Sequence, residues 1–240
     1  MRVTKLMLAA ALLALVASSG PWVSKSHART KGDNDTTNRL NAAADVLSEI
    51  MGAPDKGIPQ DLLDKAACAV IVPGVKKGAF IVGAKYGRGF IVCRRKSGRD
   101  WSAPGGVIVE GGSVGFQIGG SETDVIMLVM NEGAINKLLS SKFTIGGDAS
   151  VAAGPVGRTS SAETDAQLHA QILTYSRARG LFAGVSLQGA TLRPDDDANK
   201  DMYGKRMSNQ DVVLGSVKPP PAAAGLIAEL NRHSNRRARG

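Results

Sequence analysis

The spacing of apolar residues along the chain changes from a helical to a strand pattern. Apolar residues recur every three or four positions over 38–52, which predicts an amphipathic helix. Pro59 suits a first helical turn and predicts a short second helix. From residue 67 onward, short runs rich in Val, Ile and Phe are bounded by Gly or Pro, which predicts a meander of strands. The first of these runs are 67–73, 78–86 and 88–95, with a predicted hairpin turn at 86–89.

The remaining pattern adds more strands and a few helices. Strands are predicted at 107–110, 113–118, 125–130, 143–145, 149–153, 171–177 and 181–192. Helices are predicted after Asn131, which suits an N-cap, from Asp195 onward, and over 222–231. Because strands follow one another instead of alternating with helices, a parallel sheet is disfavoured. The pattern predicts an α+β fold: a mostly antiparallel β-sheet or partial barrel with a few peripheral helices.

The first 28 residues have the layout of a secretory signal peptide. Arg2 and Lys5 are followed by the uncharged run 6–17, and Ser26-His27-Ala28 offers a cleavage site. Twelve apolar residues are too few to span a bilayer core of about 30 Å. We therefore expect an exported protein, periplasmic or secreted, with peripheral attachment to a membrane left open.

Composition divides the rest of the chain into three parts. The polar segment 29–38 is predicted to be disordered, residues 39–215 to form one domain, and residues 216–240 to be a Pro-rich linker with a basic tail. Two cysteines, Cys68 and Cys93, lie in apolar runs, which favours buried free thiols. A disulfide is the alternative that export permits. Two cysteines alone do not make a zinc site, and no cofactor or metal is expected.

The net charge of +9 is unevenly distributed along the chain. Three of these charges lie in residues 1–28 and four in residues 218–240, so residues 29–217 carry a net charge of only +2. Within that core, the stretch from Lys65 to Arg99 holds nine basic residues and no acid. Such a run predicts contact with an anionic membrane surface, unless acids from elsewhere in the fold neutralise it. The candidate lipid-binding residues are Lys76, Lys77, Lys85, Arg88, Arg94, Arg95, Lys96 and Arg99.

Other interpretations of the chemistry are weaker. Export, and the lack of a stacking platform or reading helix in the basic stretch, argue against nucleic acid as the partner. Residues 111–115 match the G-x-S-x-G pattern of a serine hydrolase, with Ser113 as nucleophile, but the sequence that follows is a poor helix start. Asp195, Asp197 and Asn199 imitate a calcium loop, yet its required Gly and final Glu are missing, so an acidic helix N-terminus is favoured. A structural envelope protein that binds another protein is a further alternative.

Several stretches, taken in order, resemble the SYLF family of lipid-binding domains, and in particular its exported bacterial branch. The likeness covers roughly residues 40–205, and the ordered set is more specific than any one motif. The stretches are 58–63, 66–73, 83–89, 101–104, 115–119, 125–131, 148–154 and 180–187.

This resemblance implies a β-rich α+β domain without enzyme activity that binds phosphoinositides or other anionic lipids. It also implies actin binding in eukaryotic relatives, a partner that an exported bacterial protein would rarely meet. In the family, basic residues and an N-terminal amphipathic helix are held to contact lipid. Here the helix 38–52 carries Asp45 and Glu49 beside Arg39, which shifts the expected contacts to residues 76–99. Gln188 stands where relatives often have an acid, so a role for that acid is not expected here.

Overall fold

The structure is a computed structural model. It describes residues 31–53, 57–79, 82–95, 100–114, 119–157, 169–178, 181–184, 187 and 189–234. The predicted signal peptide and its cleavage site lie outside the described residues, as do Lys96, Arg99 and Gln188.

The described residues form one nine-stranded sheet. Its central strands are predicted by runs of β-branched and aromatic residues, and they are longer than the sequence pattern suggested. The strands are β1 (Cys68–Ala79), β2 (Val82–Cys93), β3 (Gly105–Val114), β4 (Gly119–Val129), β5 (Phe143–Thr144), β6 (Val151–Ala153), β7 (Ile172–Ala178), β8 (Leu181–Gly184) and β9 (Thr191–Pro194).

The strand order confirms the predicted fold class. The path across the sheet is β5-β9-β3-β2-β1-β4-β7-β6, with β8 paired to β7. Within the described part of the chain all pairings between these strands are antiparallel except β6 with β7. The sheet curls into a half-barrel. The β1–β2 hairpin therefore lies at the centre, with β3 and β4 on either side.

Helices cover both faces of this sheet. They are α1 (Lys31–Gly52), α2 (Gln60–Lys65), α3 (Glu132–Leu138), α4 (Asp196–Tyr203), α5 (Asn209–Leu214), a 3-10 turn (Pro221–Ala223) and α6 (Ala224–His233). On one face, which we call the α1 face, helices α1, α2 and α6 bury an apolar cluster that includes Leu47, Ile71 and Phe90. On the opposite face, α3, α5 and the loops around β5 cover a second cluster that includes Val70 and Ile91. Alternate residues of each central strand point to the two clusters, as pleating requires.

The predicted hairpin turn at 86–89 is wrong, because these residues lie in the middle of β2. Their glycines serve close packing instead of a turn. A Cβ on Gly89 would lie 2.1 Å from the carbonyl oxygen of Ile71, so no side chain is tolerated there. The approach occurs beside a bulge in β1, where Gly74 has a φ of +58° that favours glycine.

Two predicted boundaries are also wrong. Helix α1 begins at Lys31, so residues 31–38 are not disordered. Its first turns are held by polar contacts, such as the hydrogen bond that Thr36 Oγ1 donates to Asp201 Oδ2 at 3.0 Å.

The segment 216–240 is not a linker throughout. Leu226 and Leu230, one helical turn apart on α6, are fully buried against the α1 face. The domain therefore continues to Ser234, whose hydroxyl accepts a hydrogen bond from the Trp101 indole at 2.9 Å.

The two cysteines form a disulfide, so the prediction of free thiols is wrong. Cys68 and Cys93 are directly opposite each other in the antiparallel β1–β2 pair, with both side chains buried. The apolar runs correctly indicated burial. They carried no information on strand register, which alone brings the two sulfur atoms into bonding distance.

Alkaline pH is expected to weaken the fold through two buried tyrosines. Burial raises the pKa of Tyr175 and of Tyr203 above the ordinary value of about 10. Above that pH the unfolded chain loses phenolic protons that the folded protein retains, so stability is intact below about pH 10 and falls as the pH rises further. Urea unfolding midpoints at pH 9 and pH 11 measure this loss.

A phenylalanine variant isolates the contribution of Tyr203. Its hydroxyl donates a hydrogen bond to the Pro104 carbonyl oxygen at 2.6 Å, so Tyr203→Phe should cost about 1 kcal/mol at pH 7. The same variant should lose less stability than the wild type between pH 9 and pH 11. Tyr86→Phe, which alters an exposed phenol, is the control. An unchanged pH dependence in Tyr203→Phe would contradict the prediction.

Candidate functional site

Two lysines face each other at one end of the central hairpin. Lys77 of β1 is directly opposite Lys85 of β2, and the row continues to Ser121 of β4 and Gly111 of β3. Lys85 and Ile91 are six residues apart on β2, so their side chains point to the same face of the sheet. Ile91 belongs to the apolar cluster opposite α1, which places this row of residues on that face. Both lysines are half-buried, and within the described part of the chain neither forms an ion pair. Like charges directly opposite one another in a sheet repel, so the pair presents uncompensated positive charge.

Lys76 lies at the same end of the sheet but on the α1 face. Its opposite residues are Tyr86 on β2 and Glu122 on β4. A cross-strand Lys–Glu pair is mutually stabilising, so the Lys76 charge is partly balanced. Tyr86 is 47% exposed and offers an aromatic ring with a polar tip beside the lysine.

Arg88 is neutralised by a buried carboxylate. Its Nε and Nη2 donate hydrogen bonds to the two oxygens of Asp195 at 2.6 and 2.7 Å. Asp195 is 2% exposed and also caps α4 by accepting from the backbone N–H of Ala198. The hydrogen bond to Asp195 raises the pKa of Arg88. The acidic N-terminus predicted for this helix is confirmed. Its N-cap carboxylate, Asp195, also forms the ion pair with Arg88.

Arg94 and Arg95 serve the structure at the other end of the hairpin. The Arg94 guanidinium lies 4.2 Å from the centre of the Trp101 ring and donates to the carbonyl oxygens of Ser234 and Leu63. Arg95 donates to the carbonyl oxygens of Trp101 and Val217. These contacts join β2 to the C-terminal segment and leave both guanidinium groups engaged.

The basic run is therefore not one continuous surface among the described residues. Arg94 lies nine positions after Lys85 and one residue past the end of β2, about 30 Å away at roughly 3.3 Å per residue. The structure brings together Lys76, Lys77 and Lys85, which we call the lysine end of the sheet. Sequence reasoning missed Tyr86, which a correct β1–β2 register would have placed opposite Lys76.

The hydrolase alternative gains no support from the fold. Ser113 lies within β3, in antiparallel register with Gly83, and the strand continues to Val114. A nucleophile elbow requires a sharp turn from a strand into a helix at the serine. Of the described residues, no group of three His, Cys, Asp or Glu side chains is placed to hold a metal ion. Across the same residues, every helix is too short or too polar to cross a membrane.

The curled, mostly antiparallel sheet with helices on both faces defines an α+β domain, and at one end it carries two lysines that form no ion pair among the described residues. Residues 110–233 match the Ysc84 family model, described as Las17-binding protein actin regulator. The chain belongs to this family, which is the SYLF family that the sequence motifs indicated.

Curated relatives from fungi and mammals support this assignment. The chain is 34% identical over 186 residues to LAS seventeen-binding protein 3 of Saccharomyces cerevisiae, covering 76% of this chain and 40% of the relative. It is 34% identical over 194 residues to the human SH3 domain-containing YSC84-like protein 1, covering 78% of this chain and 56% of the relative. The chain thus spans about half the length of these relatives, or less. The family description refers to actin regulation, and the name of the yeast relative refers to binding of LAS seventeen.

Proposed function

We propose that this protein is a non-enzymatic, exported binding domain that attaches to anionic lipid through the lysine end of its sheet. The observation that carries the proposal is the Lys77–Lys85 pair, two half-buried cations held opposite each other without a described acidic partner. A phosphate group placed between the two ammonium groups would relieve their repulsion and contact both.

Further features support this proposal. Lys76 and the exposed ring of Tyr86 lie at the same end, and tyrosine rings suit the interface between water and lipid. Arg88, Arg94 and Arg95 are engaged in internal contacts away from this end of the sheet, so we assign headgroup binding at the lysine end to Lys76, Lys77 and Lys85. Lys96 and Arg99 stay predictions from the sequence. The buried disulfide suits an oxidising compartment, which supports the predicted periplasmic or secreted location.

Replacing the lysine pair is expected to abolish most lipid binding. Each lysine near an anionic surface contributes about 1 kcal/mol, so Lys77→Gln/Lys85→Gln should weaken binding about 30-fold. Flotation with phosphatidic acid vesicles and with neutral phosphatidylcholine vesicles, at low and high salt, measures this. The wild type should float only with the anionic vesicles, and less at high salt.

A matched double variant tests whether position matters beyond net charge. Lys200→Gln/Lys205→Gln removes the same charge from exposed positions at and after the end of α4, and it should bind within about twofold of the wild type. Equal losses in both double variants would contradict a defined site. Absence of wild-type flotation with anionic vesicles would contradict lipid binding altogether.

A second candidate is binding to an actin-related protein partner. The family description and the relatives' names, which refer to Las17 binding and actin regulation, favour it. Export to the periplasm or beyond would separate the chain from such a partner. Co-sedimentation with actin filaments without lipid, together with no preference for anionic vesicles, would favour this candidate over the first.

A further inference from the structure

Two arginines on the α1 face converge on a single exposed carboxylate oxygen. Arg39 Nη2 donates a hydrogen bond to Oδ2 of Asp35, one turn earlier on α1. Arg88 Nη1, from β2, lies 3.9 Å from the same Asp35 oxygen. Helix and sheet thus direct two guanidinium groups at one point on the surface, and that point holds a negatively charged oxygen.

The two carboxylates that neutralise these arginines differ in how firmly they are held. Asp195 is 2% exposed and binds Arg88 through two short hydrogen bonds. Asp35 has a 64% exposed side chain, whereas the side chain of Arg39, its partner at i+4, is only 12% exposed. Water solvates Asp35 from its open side, so separating this carboxylate from its arginine costs less than separating the buried Asp195 would. Asp35 is therefore the carboxylate that an external anion can replace.

Arg39 also has hydrogen-bonding capacity that Asp35 does not use. Its Nη1 is buried and donates no hydrogen bond within the described part of the chain, and Asp195 Oδ2 lies 4.0 Å away, within ion-pair range only. Burial and the neighbouring Arg88 lower the pKa of Arg39, which reflects the cost of holding two cations together here. Tyr86, which is 47% exposed, lies two residues before Arg88 on β2, so both side chains are on the same face of the sheet.

We infer that Arg39, Arg88 and Tyr86 form a second anion-binding site, occupied by the Asp35 carboxylate until a phosphate group displaces it. The guanidinium plane matches the oxygens of phosphate as well as those of carboxylate. A phosphate monoester brings three acceptor oxygens and a charge of about −1.5 to −2, against two oxygens and −1 from Asp35. It can bind both arginines while Asp195 continues to neutralise Arg88 from the buried side.

This site is independent of the lysine pair. Tyr86 and Arg88 alternate along β2 with the same spacing as Phe90, so they lie on the α1 face. Lys77 and Lys85 lie on the opposite face of the same hairpin. The ligand chemistry is a phosphate monoester, free in solution or carried by a lipid headgroup. Asp35 then acts as a built-in competitor that sets how much phosphate is needed for binding.

Calorimetric titration of the full mature chain with inorganic phosphate, at pH 7.5 and constant ionic strength, tests this inference. Asp35→Asn removes the competing charge and should bind phosphate at least tenfold more tightly than the wild type. Asp45→Asn makes the same change at an exposed position on the same helix and should stay within twofold of the wild type. Adding Arg39→Gln to Asp35→Asn should remove the gain. In a Lys77→Gln/Lys85→Gln background, Asp35→Asn should still bind free phosphate more tightly than Asp45→Asn does.

Vesicles of phosphatidic acid form the second arm of the experiment. A gain for Asp35→Asn over Asp45→Asn with free phosphate alone identifies a soluble ligand, and a gain with vesicles identifies a headgroup. If Asp35→Asn exceeds Asp45→Asn in neither arm, the inference is overturned, whatever the lysine pair does with lipid. If Lys77→Gln/Lys85→Gln loses vesicle binding but the Asp35→Asn gain in phosphate binding is retained in that background, the two sites are distinguished.

Discussion

Asp195→Ala is expected to lower the free energy of unfolding by about 3 kcal/mol, because the partly buried Arg88 loses two charged hydrogen bonds and α4 loses its N-cap. The carboxylate is almost completely buried and accepts two hydrogen bonds from Arg88. It also caps α4 by accepting from the backbone N–H of Ala198 at 3.1 Å. Removal of one partner from a buried ion pair costs more than the pair contributes, since the remaining charge keeps its desolvation penalty. Urea unfolding followed by circular dichroism measures the change.

Two further variants separate the charge from the cap. Asp197→Ala removes an exposed acid from the first turn of the same helix and should cost less than about 1 kcal/mol. Combining Arg88→Met with Asp195→Ala removes both charges and should recover part of the loss. Should Asp195→Ala prove no less stable than Asp197→Ala, the buried pair does not hold β2 to α4 as described.

Reduction of the Cys68–Cys93 disulfide is expected to lower the free energy of unfolding by about 3 kcal/mol. The bond closes a loop with a sequence separation of 25 residues, and the chain-entropy estimate for loops of this size is near that value. Both cysteines are buried in the sheet, so the folded protein should resist mild reductant while the unfolded chain does not. Urea unfolding with and without reductant gives the difference, and maleimide labelling in urea counts free thiols.

The double variant Cys68→Ala/Cys93→Ala is the control for the reductant itself. Its unfolding midpoint should be the same with and without reductant, and below that of the oxidised wild type. Two maleimide labels on the oxidised wild type in urea would show that the sulfur atoms are not bonded. That result would also remove one support for export to an oxidising compartment.

Local sequence predicted the elements whose signals lie within a few residues. Asn131 was expected to cap a helix, and its side chain accepts from the Gly133 backbone N–H at 2.6 Å. The short helix after Pro59 and the helix after Asp195 are confirmed as well. Helix α5 was missed because its six residues offer too short an apolar pattern. The hairpin turn was misplaced because the glycines of β2 are required by the close approach of β1, which no local signal reveals.

The candidate site was predicted only in part, for a related reason. The acid-free basic run includes Lys77 and Lys85, which the structure places opposite each other across the hairpin. The same run includes Arg88, Arg94 and Arg95. Most of their hydrogen-bonding partners are distant in sequence, so the composition of the run could not predict that these charges are engaged. Asp195 is 107 residues from Arg88, and Ser234 is 140 residues from Arg94.

By itself the sequence determined the α+β class, the family and the burial of the two cysteines, because the spacing of apolar residues and the order of the motifs can be read along the chain. Tertiary structure alone decided which cysteines bond, which cations are neutralised and which remain opposite each other. The physical reason is that strand register and long-range ion pairs depend on which residues are close in space. The local sequence around each residue carries no information on that proximity.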